Sequence, residues 1–175
     1  MKKNLTLRSF YFLLLFVYSS CCHHEEKGNL EDGSLFGRIM KSDANFFRGI
    51  DMRDSLKQVI SYHTEMPRQQ DSDYLYYRQY LNTKEQINIT YNFKENQLYE
   101  LRLEMKLVSK NRLVELQKQF NDYFDKKYGK SELDSDGFLI WKTQTTKSKD
   151  IEISLKDEST EKYAALRVSF YDYEL

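Results

Sequence analysis

Residues 86–107 limit the fold more than any other stretch of this chain. Ile87, Ile89, Tyr91 and Phe93 recur at every second position. So do Leu101, Leu103, Met105 and Leu107, with Glu100, Arg102, Glu104 and Lys106 between and before them. A side-chain period of two belongs to a strand with one face buried and the other wet. The polar stretch Lys94-Glu95-Asn96-Gln97 separates the two runs and supplies a turn, so the pair predicts a β-hairpin. Ile151, Ile153 and Leu155, then Leu166, Val168 and Phe170, repeat the alternation later. Short connections between such strands imply an antiparallel sheet.

Two helices accompany the strands. Over 111–128, Leu113, Leu116, Phe120, Tyr123, Phe124 and Tyr128 fall three and four apart, giving one apolar stripe, and Gly129 stops it. A shorter helix over 54–65 places Leu56, Val59, Ile60 and His63 on one side, with Asp51 or Asp54 as its cap and Pro67 after its end. The order helix then three strands occurs twice, with the halves offset by 63 to 65 residues. Asp71-Ser72-Asp73 aligns with Asp134-Ser135-Asp136 and Tyr77 with Trp141. Ile87-Asn88-Ile89 aligns with Ile151-Glu152-Ile153, and Leu101-Arg102-Leu103 with Leu166-Arg167-Val168. Two αβββ units predict a two-layer α+β fold, the helices on one face of an antiparallel sheet and the other face open to solvent. The expected division is 1–20 signal peptide, 21–40 polar tether, 41–110 first unit and 111–175 second unit, the two units forming one globular domain.

The N-terminal segment reads as an export signal. Lys2, Lys3 and Arg8 precede the apolar run 10–18 (FYFLLLFVY), and Ser19-Ser20 stand before Cys21. The run is less than half of the about 20 residues that a spanning helix needs. Small residues followed by cysteine resemble the lipobox of bacterial lipoproteins, in which that cysteine becomes the lipidated N-terminus; Tyr18 stands where the lipobox carries an aliphatic residue. The resemblance implies lipidation at Cys21, a membrane anchor and a place in the bacterial cell envelope, facing the periplasm or the cell surface; ordinary cleavage nearby would instead leave a soluble periplasmic protein. Glu25-Glu26 resembles the acidic sorting signal of some surface-exposed lipoproteins. Cys21 and Cys22 are the only cysteines, so no disulfide framework braces the folded part. Removing residues 1–20 leaves 24 basic against 27 acidic residues. A mildly acidic protein is a poor nucleic-acid partner, because that binding runs on phosphate neutralisation.

Gly49-Ile50-Asp51-Met52-Arg53-Asp54-Ser55, leading through Val59 to Pro67, is similar to the opening of outer-membrane lipoprotein domains of the SmpA/OmlA type. Ile89-Thr90-Tyr91-Asn92-Phe93 with Gln97-Leu98 resembles their second strand and turn, and the doubled unit resembles the tandem layout of the beta-lactamase-inhibitor-protein-like fold. The chain departs from the pattern at Glu65-Met66, where those domains carry Leu-Gly, and its second half lacks the opening glycine motif. The resemblance covers about 46–108 and extends over 112–175 as a pattern alone. It implies a binding or assembly role in the envelope.

No constellation for catalysis, a metal or a cofactor stands out. Cys21-Cys22-His23-His24 has metal-ligand residue types, but contiguous residues do not wrap a tetrahedral ion, and the segment reads as solvated tether. His63 lies on a helical stripe, which favours packing over general-base work. The two Asp-Ser-Asp triplets lack the rest of a calcium loop and read as turns. Asn88-Ile89-Thr90 is a glycosylation sequon by pattern, incidental on a strand in a bacterial setting. The open face is the surface fit for work. In 73–81, Tyr74, Tyr76, Arg78 and Tyr80 share it, Phe138 and Ile140 join from the second half, and Arg167, Tyr171 and Tyr173 from the last strand. Tyrosine and arginine are enriched at interface hot spots, while cross-strand aromatic pairing can equally serve the sheet itself. The expected function is a non-enzymatic envelope lipoprotein that binds a protein or envelope polymer on this face; an inhibitor or immunity protein for a secreted enzyme, and last a small hydrolase, stand as alternatives.

Overall fold

The structure is a computed structural model that describes residues 33–175. The signal peptide, Cys21 and Glu25-Glu26 lie outside the described residues. Within residues 33–175 the chain forms helices α1 (Leu35–Met40), α2 (Leu56–Ser61) and α3 (Lys110–Tyr128). Its strands are β1 (Gln69–Gln70), β2 (Tyr74–Tyr80), β3 (Gln86–Lys94), β4 (Gln97–Leu107), β5 (Glu132–Leu133), β6 (Leu139–Thr143), β7 (Ile151–Asp157) and β8 (Ala164–Asp172). They make a single antiparallel sheet in the order β1-β2-β3-β4-β8-β7-β6-β5. The molecule is the two-layer α+β fold that the patterning predicts.

The alternation sorts the two faces. Leu75 and Tyr77, Ile87, Ile89, Tyr91 and Phe93, Leu101, Leu103 and Met105, Ile151, Ile153 and Leu155, and Leu166, Val168 and Phe170 all point into one core beneath the helices. Glu95 and Asn96 have φ of 51° and 60° and join β3 to β4 as a two-residue loop. Positive φ at both central residues matches the twist of the strands they connect.

α3 buries Leu113, Leu116, Phe120 and Phe124, the predicted stripe. Ser109 caps its start, and Gly129 ends it at φ 94°, its N–H donating to Asp125 O. Phe124 meets Trp141 and Phe170 edge-on at 5.2 and 5.9 Å. Each such fully buried side chain contributes about 1.5–3 kcal/mol, so this stripe, more than local propensity, seats the helix.

Several sequence expectations are revised. Residues 35–40, assigned to the tether, form α1: Ser34 Oγ accepts from Gly37 N, and Phe36, Ile39 and Met40 enter the core, Phe36 packing on Phe120 at 4.9 Å. α2 is shorter than 54–65, and its cap is Ser55, not Asp51 or Asp54. Ser55 and Gln58 form a reciprocal capping box, each bonding the other's backbone N–H. His63 therefore lies past the helix end. Each half also has a fourth, two-residue strand, β1 or β5, that the sequence does not announce. The Asp-Ser-Asp triplets are the turns that follow these strands; Asp71 accepts from Ser72 N, and Asp134 from Asp136 N and Phe138 N.

The halves meet at β4 and β8. Leu103 pairs with Val168 there, Leu101 with Phe170 and Met105 with Leu166, a register symmetric about the Leu103–Val168 pair. Tyr77 pairs with Ile89 as Trp141 does with Ile153. In the neighbouring ladder, however, Ile89 faces Leu103 while Ile153 faces Phe170 rather than Val168. That two-residue slip preserves the faces, because the side-chain period is two.

Candidate partner-binding face

Read across the sheet, the registers arrange the open face in rows. Tyr74, Asn92, Glu100, Tyr171, Glu152 and Lys142 make one; Tyr76, Thr90, Arg102, Ser169, Ser154 and Ile140 the next; Arg78, Asn88, Glu104, Arg167 and Lys156 the third. Tyr80 closes the edge opposite Gln86. The helices lie on the other side, packed against the apolar faces of the strands.

Two groupings form among the predicted residues. On β2, the Arg78 guanidinium donates to Tyr76 Oη at 2.8 Å and to Asn88 Oδ1 at 3.1 Å, and Tyr76 Oη donates to Asn88 Oδ1 at 2.9 Å. In the middle of the sheet, Tyr171 lies 4.6 Å from Tyr173 and 5.7 Å from Tyr99, ring centroid to centroid. Tyr173 Oη also meets Glu152 Oε1 at 3.3 Å. Tyr74 shares the row of Tyr171 but stands three strand spacings away, roughly 14 Å. The remaining predicted residues are dispersed. Phe138 is half-buried just before β6, with the Lys156 ammonium 4.4 Å above its ring. Ile140 is half-buried too, and Arg167 is drawn to Glu158 at 3.0 Å and Glu104 at 3.9 Å. Tyr80 and Tyr173 are 66% and 55% exposed, so they stand free to be covered.

Tyr99 is the residue that strand alternation misses. Asn92 pairs with Glu100 but Phe93 with Leu98, so Tyr99 is the extra residue of a β-bulge. The bulge turns Tyr99 out beside Tyr171 while Leu98 and Leu101 stay in the core. The spacing of those two leucines, three where two is expected, is the available signal.

Beneath the first half lies a buried polar cluster. The His63 ring stacks on Tyr77 at 3.9 Å and 11°, and its Nε2 lies 2.8 Å from Tyr91 Oη. Arg48 is buried nearby, its guanidinium donating to Ile39 O at 2.8 Å and Gln79 Oε1 at 2.9 Å. Burial, then the charges of Arg48 and Lys41, push the His63 imidazolium down to about 4. Burial pushes the Tyr91 phenol far up. Both are neutral at physiological pH. A groove of about 490 Å³ beside them carries His63 and Glu65 on its wall, but the His63 ring is engaged inward by Tyr77 and Tyr91. Among the described residues no group of three or more His, Cys, Asp or Glu side chains is placed to hold a metal ion.

One network ties the loop after α1 to the end of the sheet. Arg53 donates to the buried Asp172 and to Glu174, both at 2.8 Å; Ser148 Oγ donates to Asp172 at 2.7 Å, and Lys147 to Asp54 at 2.8 Å. Burial acts to raise the Asp172 carboxyl, but the bonds from Arg53 and Ser148 outweigh it and hold the group below the usual aspartate value. Compared with protein-family models, curated proteins and solved structures, the chain matches none.

Proposed function

We propose that this protein is a non-enzymatic, lipid-anchored component of the bacterial cell envelope that binds a protein partner through its open sheet face. The observation that carries the reading is the face that the described residues leave uncovered, with the Tyr99, Tyr171 and Tyr173 cluster at mid-sheet and Tyr76 and Arg78 braced on β2. Tyrosine supplies a large, stiff contact area with a polar tip, and arginine a planar donor fork, which is why both recur at hot spots. The signal-like N-terminus, the lipobox-like Cys21 and the resemblance to small outer-membrane lipoproteins support the location. The ion pairs on the face are partly exposed and contribute little to stability, so a partner displaces them at small cost.

The test is site-specific photocrosslinking of the full chain in membranes. A photoreactive residue at Tyr76 or Tyr171 is expected to give a discrete protein adduct, and one at Lys126, on the exposed side of α3, none. Replacing Tyr74, Tyr76 and Tyr80 together with Ser abolishes the Tyr171 adduct while the circular dichroism spectrum stays unchanged. Adducts of equal yield from Lys126, or a Tyr171 adduct indifferent to the triple substitution, would rule out the sheet face.

A further inference from the structure

Arginine pairing divides the described residues into two sets. Arg53, Arg102, Arg112 and Arg167 each lie against a carboxylate. Arg38, Arg48, Arg68 and Arg78 have no carboxylate within 4.0 Å among the described residues, and these are the ones gathered in one place. Arg38, Arg68 and Arg78 join Lys41 around an open groove of about 500 Å³ at the edge of the sheet, with Glu65 the single carboxylate on its wall. Arg48 lies behind, bonded to Gln79 of the groove wall.

The fold fixes the cations from three directions. Arg38 is in the last turn of α1 and donates to Leu81 O at 3.2 Å, while Lys41 is that helix's left-handed C-cap. Arg68 is held through its backbone, its N–H donating to Tyr76 O at 2.7 Å. The Arg68 guanidinium and the Lys41 ammonium make no hydrogen bond among the described residues, so their donors face the groove unspent.

The backbone adds to the same surface. Among the described residues β1 pairs only with Leu75 and Tyr76, and no strand pairs with the β2 edge beyond them. Tyr76 O points outward, toward Arg68. The strand period of two therefore turns the N–H and C=O groups of Arg78 and Tyr80 the same way. Burial and then the neighbouring Arg48 charge lower the Lys41 ammonium from its ordinary value, and Glu65 offsets them only in part.

We propose that this groove binds an anion bearing a phosphate group, from a free phosphate compound or from a lipid headgroup. Guanidinium forks match phosphate oxygens two at a time. Three arginines and a lysine against one carboxylate call for more negative charge than a second carboxylate brings. A different role, charges that keep a free strand edge from pairing with another chain, needs no ligand, and the experiment separates the two.

Isothermal titration calorimetry on the purified full chain in neutral detergent, at low salt, uses three probes: inorganic phosphate, dihexanoyl phosphatidylglycerol and dihexanoyl phosphatidylcholine. Saturable binding of inorganic phosphate assigns the site to free phosphates; binding of phosphatidylglycerol but not phosphatidylcholine assigns it to anionic headgroups; both together show the shared chemistry. In each case Arg68→Gln and Arg78→Gln weaken binding about tenfold each, as the loss of one charge-assisted contact does. Lys118→Gln, which removes the same charge from the exposed side of α3, leaves it unchanged. The proposal is overturned if no probe saturates, if phosphatidylcholine binds as well as phosphatidylglycerol, if both arginine variants bind like the wild type, or if Lys118→Gln loses as much as they do. Arg68 belongs to the groove and not to the tyrosine face, so Arg68→Gln losing phosphate while keeping its crosslinked partner distinguishes this site from the sheet-face reading.

Discussion

His63 shows how one residue's surroundings set its chemistry. Its ring lies flat on Tyr77, its Nε2 meets the buried Tyr91 hydroxyl, and Arg48, Lys41 and Glu65 are the charged groups around the cluster. A histidine whose folded value is about 4, against 6.5 unfolded, binds fewer protons folded than unfolded between those values. Its contribution is complete above 6.5 and is lost as pH falls from 6.5 toward 4, by at most about 3 kcal/mol. Urea unfolding across that range is expected to show the loss, and His63→Phe, which keeps the stack but cannot charge, to flatten it. An unchanged slope in His63→Phe would refute the assignment. Asp125 and Asp172 titrate below this window because their carboxyls are held low, Asp125 chiefly by its bond from Lys130. That His63 packs against the core was legible from its place among apolar neighbours. Its partners were not, since Tyr91 and Arg48 reach it only through the fold. Tyr99 was hidden for a local reason: a bulge reverses the alternation that placed every other residue on β4.

At the scale of elements, α3 was readable almost to the residue, because the apolar stripe over 111–128 and a stopping glycine agree. α1 was not. Six residues are too few for a period to emerge, and Phe36, Ile39 and Met40 resemble any apolar scatter until α3 is there to receive them. The two-residue strands β1 and β5 escape for the same reason: their side chains are exposed and carry no alternation. The basic groove was illegible altogether, since α1, the 65–68 segment and β2 supply it from separate stretches. α3's energetic weight can be measured directly. Phe124→Ala removes the ring that joins Phe120, Trp141 and Phe170 and is expected to cost about 3–5 kcal/mol. Denaturant unfolding reads this loss; a cost below about 1 kcal/mol, the level typical of surface substitutions and minor repacking, would mean that the helix is not seated by its stripe.

At the scale of the whole molecule, the β4–β8 pair joins halves that are far apart in sequence. Central strands open only with global unfolding, whereas short edge strands fray. Hydrogen exchange is therefore expected to be slowest at Leu101, Leu103, Met105, Leu166, Val168 and Phe170 and fastest at Gln69, Gln70, Glu132 and Leu133. Equal protection of center and edges would contradict the pairing order. The register at this seam is symmetric about the Leu103–Val168 pair, but the two-residue slip at β7–β8 could not be foreseen, because a slip of two leaves the apolar pattern untouched. The strand order carries a further consequence during synthesis. β4 is made before α3, yet its second neighbour is β8, so its long outer edge, flanked by Leu101, Leu103 and Met105, stays bare while every residue up to Ala164 is still being added. In that interval the nascent chain offers a ready template to any extended segment nearby, which makes the order of strands in the sheet a demand on the cell's chaperones as well as a property of the finished fold.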